Sequence, residues 1–433
     1  MNSQSIFKSI LAIAVVATAV SCKPEFKDVT PSKGTADFSR YIAVGNSLTA
    51  GYADGGLYLE GQQNSYPEML AGQMKAVGGG EFFTPFFNAN QADGSGYKKL
   101  TGFTNGSPVI GDVPQQAVRG QITVPDFGNV VLFTKYTGDI NNYGVPGIKL
   151  GLITYAPYGN LNGFFERMLP GAAPTNTTTY LDFVTSKPWT FFSMWLGNND
   201  ILGYATTGGA SAAEQPTPKA TFAALYNVAA TKLTSTGAKG VVGTIPDILS
   251  TPLFTTVNVD TLLKRVRVAA PTVNALFIRT GAGAVRAATL QDYFLLTIST
   301  ANVIGVPTNG VPYGLSPLNP IESKWVIDPG EAAIINDYVA TYNATIKSVA
   351  ESKGLAVMDA YAILKEYGAG KAVNGVEVSN KFITGNLFSL DGVHLTPFGY
   401  AIVANEFIKS INGKYGSSIP IVDITKYRTV KFP

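Results

Sequence analysis

The feature that most constrains the fold of this chain is the alternation of short apolar runs with longer amphipathic segments. The apolar runs are short enough to be buried strands and lie at 41–44, 190–196, 240–244 and 355–358. Segments with helical features accompany them at 66–77, 218–235, 329–352 and 397–411. Strands that alternate with helices are typical of a parallel sheet covered on both faces. The sequence therefore predicts an α/β fold.

The longest helical segment, 329–352, has recognisable signals at both ends. Asp328 is placed to cap its N-terminus, Pro329 lies in its first turn, and Gly354 follows its last residues. We expect its apolar residues to share one buried face. They are Ala333, Ile334, Tyr338, Tyr342, Ile346 and Val349.

The first residues have the pattern of a secretory signal sequence. Lys8 provides a positive charge, and an apolar stretch of 11 residues follows at 10–20. A stretch of this length is too short to span a bilayer, which takes about 20 residues. It ends in Ala-Val-Ser-Cys at 19–22, which resembles the bacterial lipobox, where signal peptidase II cleaves before a cysteine that becomes lipidated. The sequence predicts a lipoprotein signal peptide at 1–21; the alternative is an ordinary signal peptide with an incidental cysteine.

Cys22 is the only cysteine in the sequence, so a secreted domain built from this chain has no internal disulfide. Residues 22–37 are polar, contain prolines and show no periodicity, which predicts a tether followed by a folded domain at 38–433. The formal net charge of +3 is scattered without a basic stripe. The sequence therefore does not favour nucleic acid as a partner.

A serine follows the first predicted strand, in Gly-Asn-Ser-Leu at 45–48. In an open α/β sheet the carboxyl ends of the strands form the ligand crevice. Glycines permit a tight turn that exposes the hydroxyl of Ser47. A helix that begins after the turn would direct backbone N–H groups at a developing negative charge. Ser47 is therefore a candidate nucleophile.

Two other turns follow strand-like segments. Asn199, in Gly-Asn-Asn-Asp at 197–200, has a side-chain amide that could donate to an oxyanion, although a capped turn explains the same residues. Gly147 ends the turn at 142–147 and could present a backbone N–H close to the serine, because a side chain there would obstruct the approach.

His394 is the only histidine in the sequence, and it closes Asp-Gly-Val-His at 391–394. The carboxylate of Asp391 can accept a hydrogen bond from Nδ1 of the imidazole, which leaves Nε2 to act as a base toward a serine. A lone histidine is more often a surface or packing residue. If a serine–histidine mechanism operates, no other histidine can be its base.

Together these blocks, in this order, resemble the SGNH (GDSL) hydrolase superfamily, whose blocks read Gly-Asp-Ser-Leu, a glycine turn, Gly-x-Asn-Asp and Asp-x-x-His. The resemblance implies a three-layer α/β/α fold with a central parallel sheet. It also implies that Ser47 is the nucleophile, His394 the base and Asp391 its partner. The oxyanion hole would comprise the N–H groups of Ser47 and Gly147 and the side chain of Asn199.

The chain departs from the family pattern in two respects. Asn46 stands where the family has an aspartate, which loses a charge but keeps hydrogen-bonding capacity. The blocks are also far apart, which predicts insertions near 81–143, 156–186 and 251–324 that surround the cleft as a lid or a binding wall. The segment 81–143 shows no helical period and is expected to form irregular β structure.

The expected activity is hydrolysis of carboxylic esters through an acyl-enzyme, without a metal or organic cofactor. Lipid esters and O-acyl groups on glycans both remain open as substrates. A group of phenylalanines could line an acyl site or simply pack in the core: Phe82, Phe83, Phe86, Phe87, Phe164 and Phe165.

With its lipobox, the chain looks like the SGNH-family lipoproteins of Gram-negative bacteria, anchored to a membrane through lipid. Lys23, in the position after the cysteine, favours the outer membrane by resemblance to lipoprotein sorting. The alternative is a non-catalytic surface binding lipoprotein on a hydrolase scaffold. The intact set Ser47, Asn199, Asp391 and His394 argues against that alternative.

Overall fold

A computed structural model describes residues 30–104 and 106–433 of the chain. The predicted signal peptide at 1–21 and the first half of the predicted tether, 22–29 with Cys22, lie outside the described residues. Within the described ranges, no helix combines the length and the apolar character needed to cross a membrane.

Ser32–Pro433 forms one compact unit. Its first residues belong to the segment predicted as a tether. The N–H of Thr35 donates to the carbonyl of Tyr415 at 2.9 Å, and Ala36 is buried. The folded unit therefore begins several residues before position 38.

The strands run as follows: β1 Tyr41–Gly45, β2 Tyr97–Thr104, β3 Ser107–Val113, β4 Val118–Val124, β5 Gly128–Phe133, β6 Asn142–Gly144, β7 Phe191–Trp195, β8 Lys239–Gly243, β9 Phe277–Arg279, β10 Val285–Ala287, β11 Tyr293–Phe294, β12 Pro307–Thr308, β13 Val311–Pro312, β14 Val326–Ile327, β15 Ala356–Met358, β16 Lys371–Val373 and β17 Val376–Val378.

The α-helices are α1 Ser47–Ala50, α2 Leu59–Gln63, α3 Tyr66–Met74, α4 Tyr158–Leu161, α5 Gly163–Glu166, α6 Tyr180–Val184, α7 Asn199–Thr206, α8 Lys219–Thr234, α9 Pro252–Thr255, α10 Val259–Ala269, α11 Thr297–Ala301, α12 Pro329–Ser352, α13 Ala360–Gly368 and α14 Pro397–Tyr415.

The central sheet has the strand order β15-β8-β7-β1-β6, and every neighbouring pair is parallel. The strands predicted from apolar runs are β1, β7, β8 and β15. The edge strand β6 was not predicted: it lies at the end of the segment assigned to an insertion, 81–143, and at the start of the turn 142–147. It pairs with β1 through Gly45 and Gly144.

Alternate residues of the central strands face opposite sides of the sheet, as the two-residue period of a strand requires. In β7, Phe192 and Met194 belong to one hydrophobic cluster, whereas Phe191 and Trp195 belong to another. Helices α8 and α12 supply the first cluster, and α3 and α14 supply the second. The fold is therefore the three-layer α/β/α arrangement, and the predicted fold class is confirmed.

The segments predicted as insertions have different structures. Within 81–143, two antiparallel hairpins, β2–β3 and β4–β5, form the expected β structure. Within 251–324 lie α9, α10, α11 and several short strands, with a small hydrophobic cluster of their own. The segment 156–186 belongs to the main core instead, because Phe165 and Tyr180 are fully buried in its first cluster.

Candidate active site

Ser47 is the first residue of α1, directly after the end of β1. The side-chain Oδ1 of Asn46 accepts a hydrogen bond from the N–H of Leu48 at 3.0 Å and caps this short helix. The departure from the family pattern at Asn46 is thus a helix cap, a position that Asn and Asp fill about equally well. The turn holds Ser47 at the carboxyl edge of the sheet.

The edge strand β6 and α1 lie unusually close together. A Cβ atom at Gly144 would lie 2.3 Å from the backbone nitrogen of Ala50, so only glycine fits there. The side-chain amide of Asn142 donates to the carbonyl of Thr49 at 3.0 Å. Because of these contacts, the short strand that precedes the Gly147 turn also fixes the helix that carries Ser47.

The structure places His394 between Ser47 and Asp391. Its Nε2 is 2.8 Å from the Oγ of Ser47, and its Nδ1 is 2.8 Å from Oδ2 of Asp391. The side chains of His394 and Asp391 are each 14% exposed, so bulk water reaches both only partly. The ring of Tyr52 packs against the imidazole with centroids 4.6 Å apart.

Asp391 is surrounded by hydrogen-bond donors. Its Oδ1 accepts from the N–H groups of Val393 and His394, at 2.9 and 2.8 Å, and its Oδ2 accepts from the N–H of Gly55 at 2.9 Å. Burial alone would raise the pKa of this carboxyl. The charge of the imidazolium and these hydrogen bonds outweigh burial and hold the pKa of Asp391 below its ordinary value. The group is therefore a carboxylate at neutral pH.

The predicted oxyanion donors occupy neighbouring turns. Asn199 begins α7, and its Nδ2 donates one hydrogen to the carbonyl of Ile148 at 2.9 Å, which leaves its second hydrogen for a ligand. Gly147, next to Ile148, has a φ of 83°, a left-handed value that favours glycine. In the described part of the chain, the N–H groups of Ser47 and Gly147 have no protein acceptor.

Asp200 was not assigned a role by the sequence, although it closes the block that contains Asn199. Its buried carboxylate accepts from the N–H groups of Leu150 and Gly151, at 2.6 and 3.0 Å, and from the hydroxyl of Thr217 at 2.6 Å. It therefore ties the turn after Gly147 to the helix that begins at Asn199.

A narrow recess opens beside Ser47, with a volume of about 40 Å³. Asn199, His394, Ile248 and Leu364 are among the residues that line it. Asn198 lines it too and was also missed by the sequence reasoning. This residue is buried, and its Oδ1 has no hydrogen-bond partner within the described ranges.

The predicted phenylalanine group does not line this recess. Phe87 and Phe165 are buried in hydrophobic clusters, and Phe82 stacks on Tyr41. Phe164 lies nearest the site, edge-on to Tyr52 at 6.5 Å. Core packing therefore accounts for Phe87 and Phe165, whereas Phe83 is 42% exposed and belongs neither to the core nor to the recess.

Residues 41–407, which include every block of the site, match the family described as GDSL-like Lipase/Acylhydrolase. The chain belongs to this family. As a GDSL-family member it is a hydrolase that acts on esters. No set of three His, Cys, Asp or Glu side chains suited to hold a metal ion occurs among residues 30–104 and 106–433.

Solved structures with some likeness include LAE5, an alpha/beta hydrolase enzyme from the metagenome of Lake Arreo, Spain. It has 10% sequence identity and a TM-score of 0.39, over 87% of this chain and 96% of the other. The lipase/acylhydrolase from Enterococcus faecalis has 12% identity and a TM-score of 0.33, over 88% and 100%. No curated protein matches the chain significantly. The family membership rests on the sequence match, not on these distant likenesses.

Proposed function

We propose that this GDSL-family protein is a serine esterase that works through an acyl-enzyme. One observation carries the proposal. Ser47, His394 and Asp391 form a continuous series of 2.8 Å hydrogen bonds, although 347 residues separate Ser47 from His394. Nucleophile, base and orienting carboxylate in this order are the requirement for acyl transfer by a serine.

In the acylation step, the Oγ of Ser47 attacks the ester carbonyl carbon while Nε2 of His394 takes the hydroxyl proton. The carbonyl electron pair moves onto oxygen, and Asp391 stabilises the imidazolium that forms. When the tetrahedral intermediate collapses, the C–O bond to the alcohol breaks and the alcohol leaves with the proton from Nε2. The acyl group remains on Ser47.

In the deacylation step, Nε2 of His394 removes a proton from water as the water oxygen attacks the acyl carbon. Collapse of this second intermediate returns the proton to the Oγ of Ser47 and releases the carboxylic acid. In both steps the oxyanion would accept hydrogen bonds from the N–H groups of Ser47 and Gly147 and from the free hydrogen of Asn199.

The size of the recess beside Ser47 supports a short acyl group. A volume of about 40 Å³ is small compared with the roughly 150 Å³ of a cavity that admits benzene. A separate groove of about 880 Å³, which Leu390 and Asp391 help to line, is within the usual range for ligand sites. We therefore propose short O-acyl esters of a bulky alcohol such as a glycan, in preference to long-chain lipid esters.

Hydrolysis of p-nitrophenyl acetate and p-nitrophenyl octanoate tests the acyl preference. We expect kcat/KM to favour the acetate by at least about tenfold. Release of acetate from an O-acetylated oligosaccharide, measured beside hydrolysis of an emulsified long-chain triacylglycerol, tests the alcohol. A preference for octanoate and triacylglycerol would contradict this substrate class.

The anchor is a further part of the proposal, and its support is the sequence at 8–22. The protein would be exported, lipidated at Cys22 and held at the outer membrane of a Gram-negative cell. In cells that express the full chain, Cys22→Ala should move the protein from the detergent phase to the aqueous phase of a Triton X-114 partition. Unchanged partitioning would refute lipidation.

Labelling by a fluorophosphonate probe tests the serine mechanism directly. The full chain should react covalently, and Ser47→Ala should abolish the label while the protein stays folded. The same experiment separates the esterase from the alternative of a non-catalytic binding lipoprotein. Absence of label from a folded wild-type protein would refute the esterase.

A further inference from the structure

The loop that carries Asp391 is held by a segment that is distant from it in the sequence. This segment is Tyr52–Gly55, which follows the helix of Ser47. The N–H of Gly55 donates to Oδ2 of Asp391, the same oxygen that contacts the imidazole of His394. The turn after the nucleophile is therefore bonded to the carboxylate that orients the base.

Asp54, in this segment, is hydrogen-bonded to the loop of Asp391 at two points. Its Oδ1 accepts from the N–H of Leu390 at 3.0 Å, and its own N–H donates to Oγ of Ser389 at 2.9 Å. The hydroxyl of Ser389 also lies 3.3 Å from Oδ1 of Asp391. Asp54 therefore binds both residues that immediately precede Asp391 in the chain.

Charge and packing around Asp54 keep it in place. It is 5% exposed, its Oδ2 accepts from the hydroxyl of Tyr58 at 2.8 Å, and the guanidinium of Arg428 lies 3.9 Å away. Arg428 is itself bound by both carboxylate oxygens of Glu60, at 2.7 and 3.1 Å. Burial raises the pKa of Asp54, and its hydrogen bonds and Arg428 counter that effect.

The hairpin β2–β3 supports the same loop from a second direction. Leu100 of β2 belongs to a small buried cluster with Leu390 and Val430. The N–H of Lys98 donates to the carbonyl of Asp54 at 2.7 Å. This insertion, expected from the sequence to be a lid or a binding wall, thus contacts the residues beside Asp391.

We infer that Asp54 is a positioning residue for the reaction: through its hydrogen bond to Leu390 N–H it sets the place of Asp391, and through Asp391 the orientation of His394. The inference rests on the proposed function. Without the side chain, Leu390 N–H loses its buried acceptor and the loop has reason to shift. A shift of about 1 Å in a catalytic group can cost on the order of 10² in rate.

The choice of substitutions follows from the backbone. Asp54 has a φ of 54°, a left-handed value that Gly and Asn tolerate and Ala does not. Asp54→Gly therefore removes the carboxylate without backbone strain. Asp54→Asn keeps an oxygen that can accept from Leu390 N–H. Asp126 is a matched control, because it also has a left-handed φ of 65° and lies exposed in the turn between β4 and β5.

The experiment measures kcat and KM for p-nitrophenyl acetate and the rate of fluorophosphonate labelling. We expect Asp54→Gly to lower kcat and the labelling rate by about 10- to 100-fold, with KM within about threefold of wild type. Asp54→Asn should recover to within about fivefold, and Asp126→Gly should match wild type. Normal kcat in Asp54→Gly, or no recovery in Asp54→Asn, would overturn the inference.

Two further measurements keep the result interpretable. If Asp54→Gly does not fold, Ser389→Ala provides the second variant, with an expected loss of about 3- to 10-fold in kcat; unchanged kcat there would overturn the inference as well. Failure of the proposed function gives a different result, because wild-type protein would then show no Ser47-dependent label at all.

Discussion

The carboxyl edge of the central sheet and the insertion between β8 and α12 are held in different ways. At the edge, carboxylates that are largely shielded from water accept hydrogen bonds from main-chain N–H groups far away in the sequence, as Asp54, Asp200 and Asp391 each do. In the insertion, strands are two or three residues long, and apolar side chains such as Val268 and Leu318 are more than four-fifths exposed.

This difference indicates where the fold requires exact geometry. Proton transfer between Ser47 and His394 depends on contacts of 2.8 Å, and each loop that supplies a reacting group is fixed by polar contacts in addition to packing. The insertion has a small hydrophobic cluster of its own, and the buried carboxylate of Asp292 binds Arg286 and the N–H of Thr289, both within a few residues of it in the sequence. Substitutions at the edge should therefore change catalysis, whereas exposed substitutions in the insertion should not.

The largest expected effect concerns the nucleophile Ser47 and the base His394 at the sheet edge, compared with an exposed residue of the insertion. Ser47→Ala and His394→Ala should each lower kcat for a simple ester by on the order of 10⁴ or more, with unchanged folding by circular dichroism. The double variant should be scarcely worse than either single variant, because nucleophile and base act as one unit. Leu318→Ala, at an exposed position of the insertion, is the control and should keep normal kcat. Near-normal turnover by His394→Ala would exclude the serine–histidine mechanism, since the chain has no other histidine.

A smaller loss of kcat is expected when a donor of the proposed oxyanion hole is removed. Asn199→Ala removes one hydrogen-bond donor from the developing charge, and kcat should fall by about 10²–10³ with little change in KM. Because the Asn199 amide also holds the carbonyl of Ile148, thermal unfolding must be measured on the same variant. A loss that appears in KM alone would show that Asn199 binds the ground state and does not stabilise the oxyanion.

The sequence predicted the strands that form continuous apolar runs, and it predicted that their following turns meet at one edge. It missed β6, whose three residues Asn142–Gly144 contain no apolar run and which is held by main-chain pairing with β1. It also placed Ala333 and Ile334 on the buried face of α12, where both residues are exposed, Ile334 by 41%.

The error in α12 is one of helical phase, because the buried face includes Ile335 and Val339 and excludes residues 333 and 334. One buried position of that helix is also polar. Asn343 faces the sheet, where its amide both accepts from the N–H and donates to the carbonyl of Ile245, at 2.7 and 2.8 Å. A hydrophobic period cannot detect such a residue. Asp54 was missed for a related reason, since its partner Leu390 lies 336 positions away and no local pattern joins them.

Asn46→Asp, at the cap of the helix that carries Ser47, should have a smaller effect on kcat. The substitution keeps the oxygen that caps α1, and a carboxylate near a helix N-terminus is favourable, although Asn46 is only 1% exposed and the charge must be buried. We expect kcat within about tenfold of wild type, or roughly 1.4 kcal/mol. A loss as large as that of Ser47→Ala would show that the uncharged amide is required for the chemistry.

The smallest expected effect concerns stability, at Glu331 in the first turn of α12, where the insertion joins the core. Asp328, three residues earlier, accepts from the N–H of Gly281 in the insertion, and its own N–H donates to Glu331 at 2.9 Å. Burial, and to a lesser degree the charge of Asp328, raises the pKa of Glu331 to about 7.

Because that folded-state pKa is above the ordinary value, near 4.3 for an unfolded chain, the folded protein binds a proton that the unfolded chain has lost. The contribution of Glu331 to the stability of the folded protein is therefore lost as pH rises from about 4.3 to about 7. Above that window the folded protein bears the full cost of holding this carboxylate charged.

Glu331→Gln keeps the accepting oxygen of the capping box and carries no charge. Its Tm should exceed that of wild type by on the order of 1 °C at pH 8 and by less at pH 5. Glu351→Gln, exposed at the other end of the same helix, is the control and should show no pH-dependent difference. An equal Tm difference at both pH values would show that ionisation of Glu331 does not affect the stability of the junction between the insertion and the core. The two regions would then differ only in their effect on catalysis.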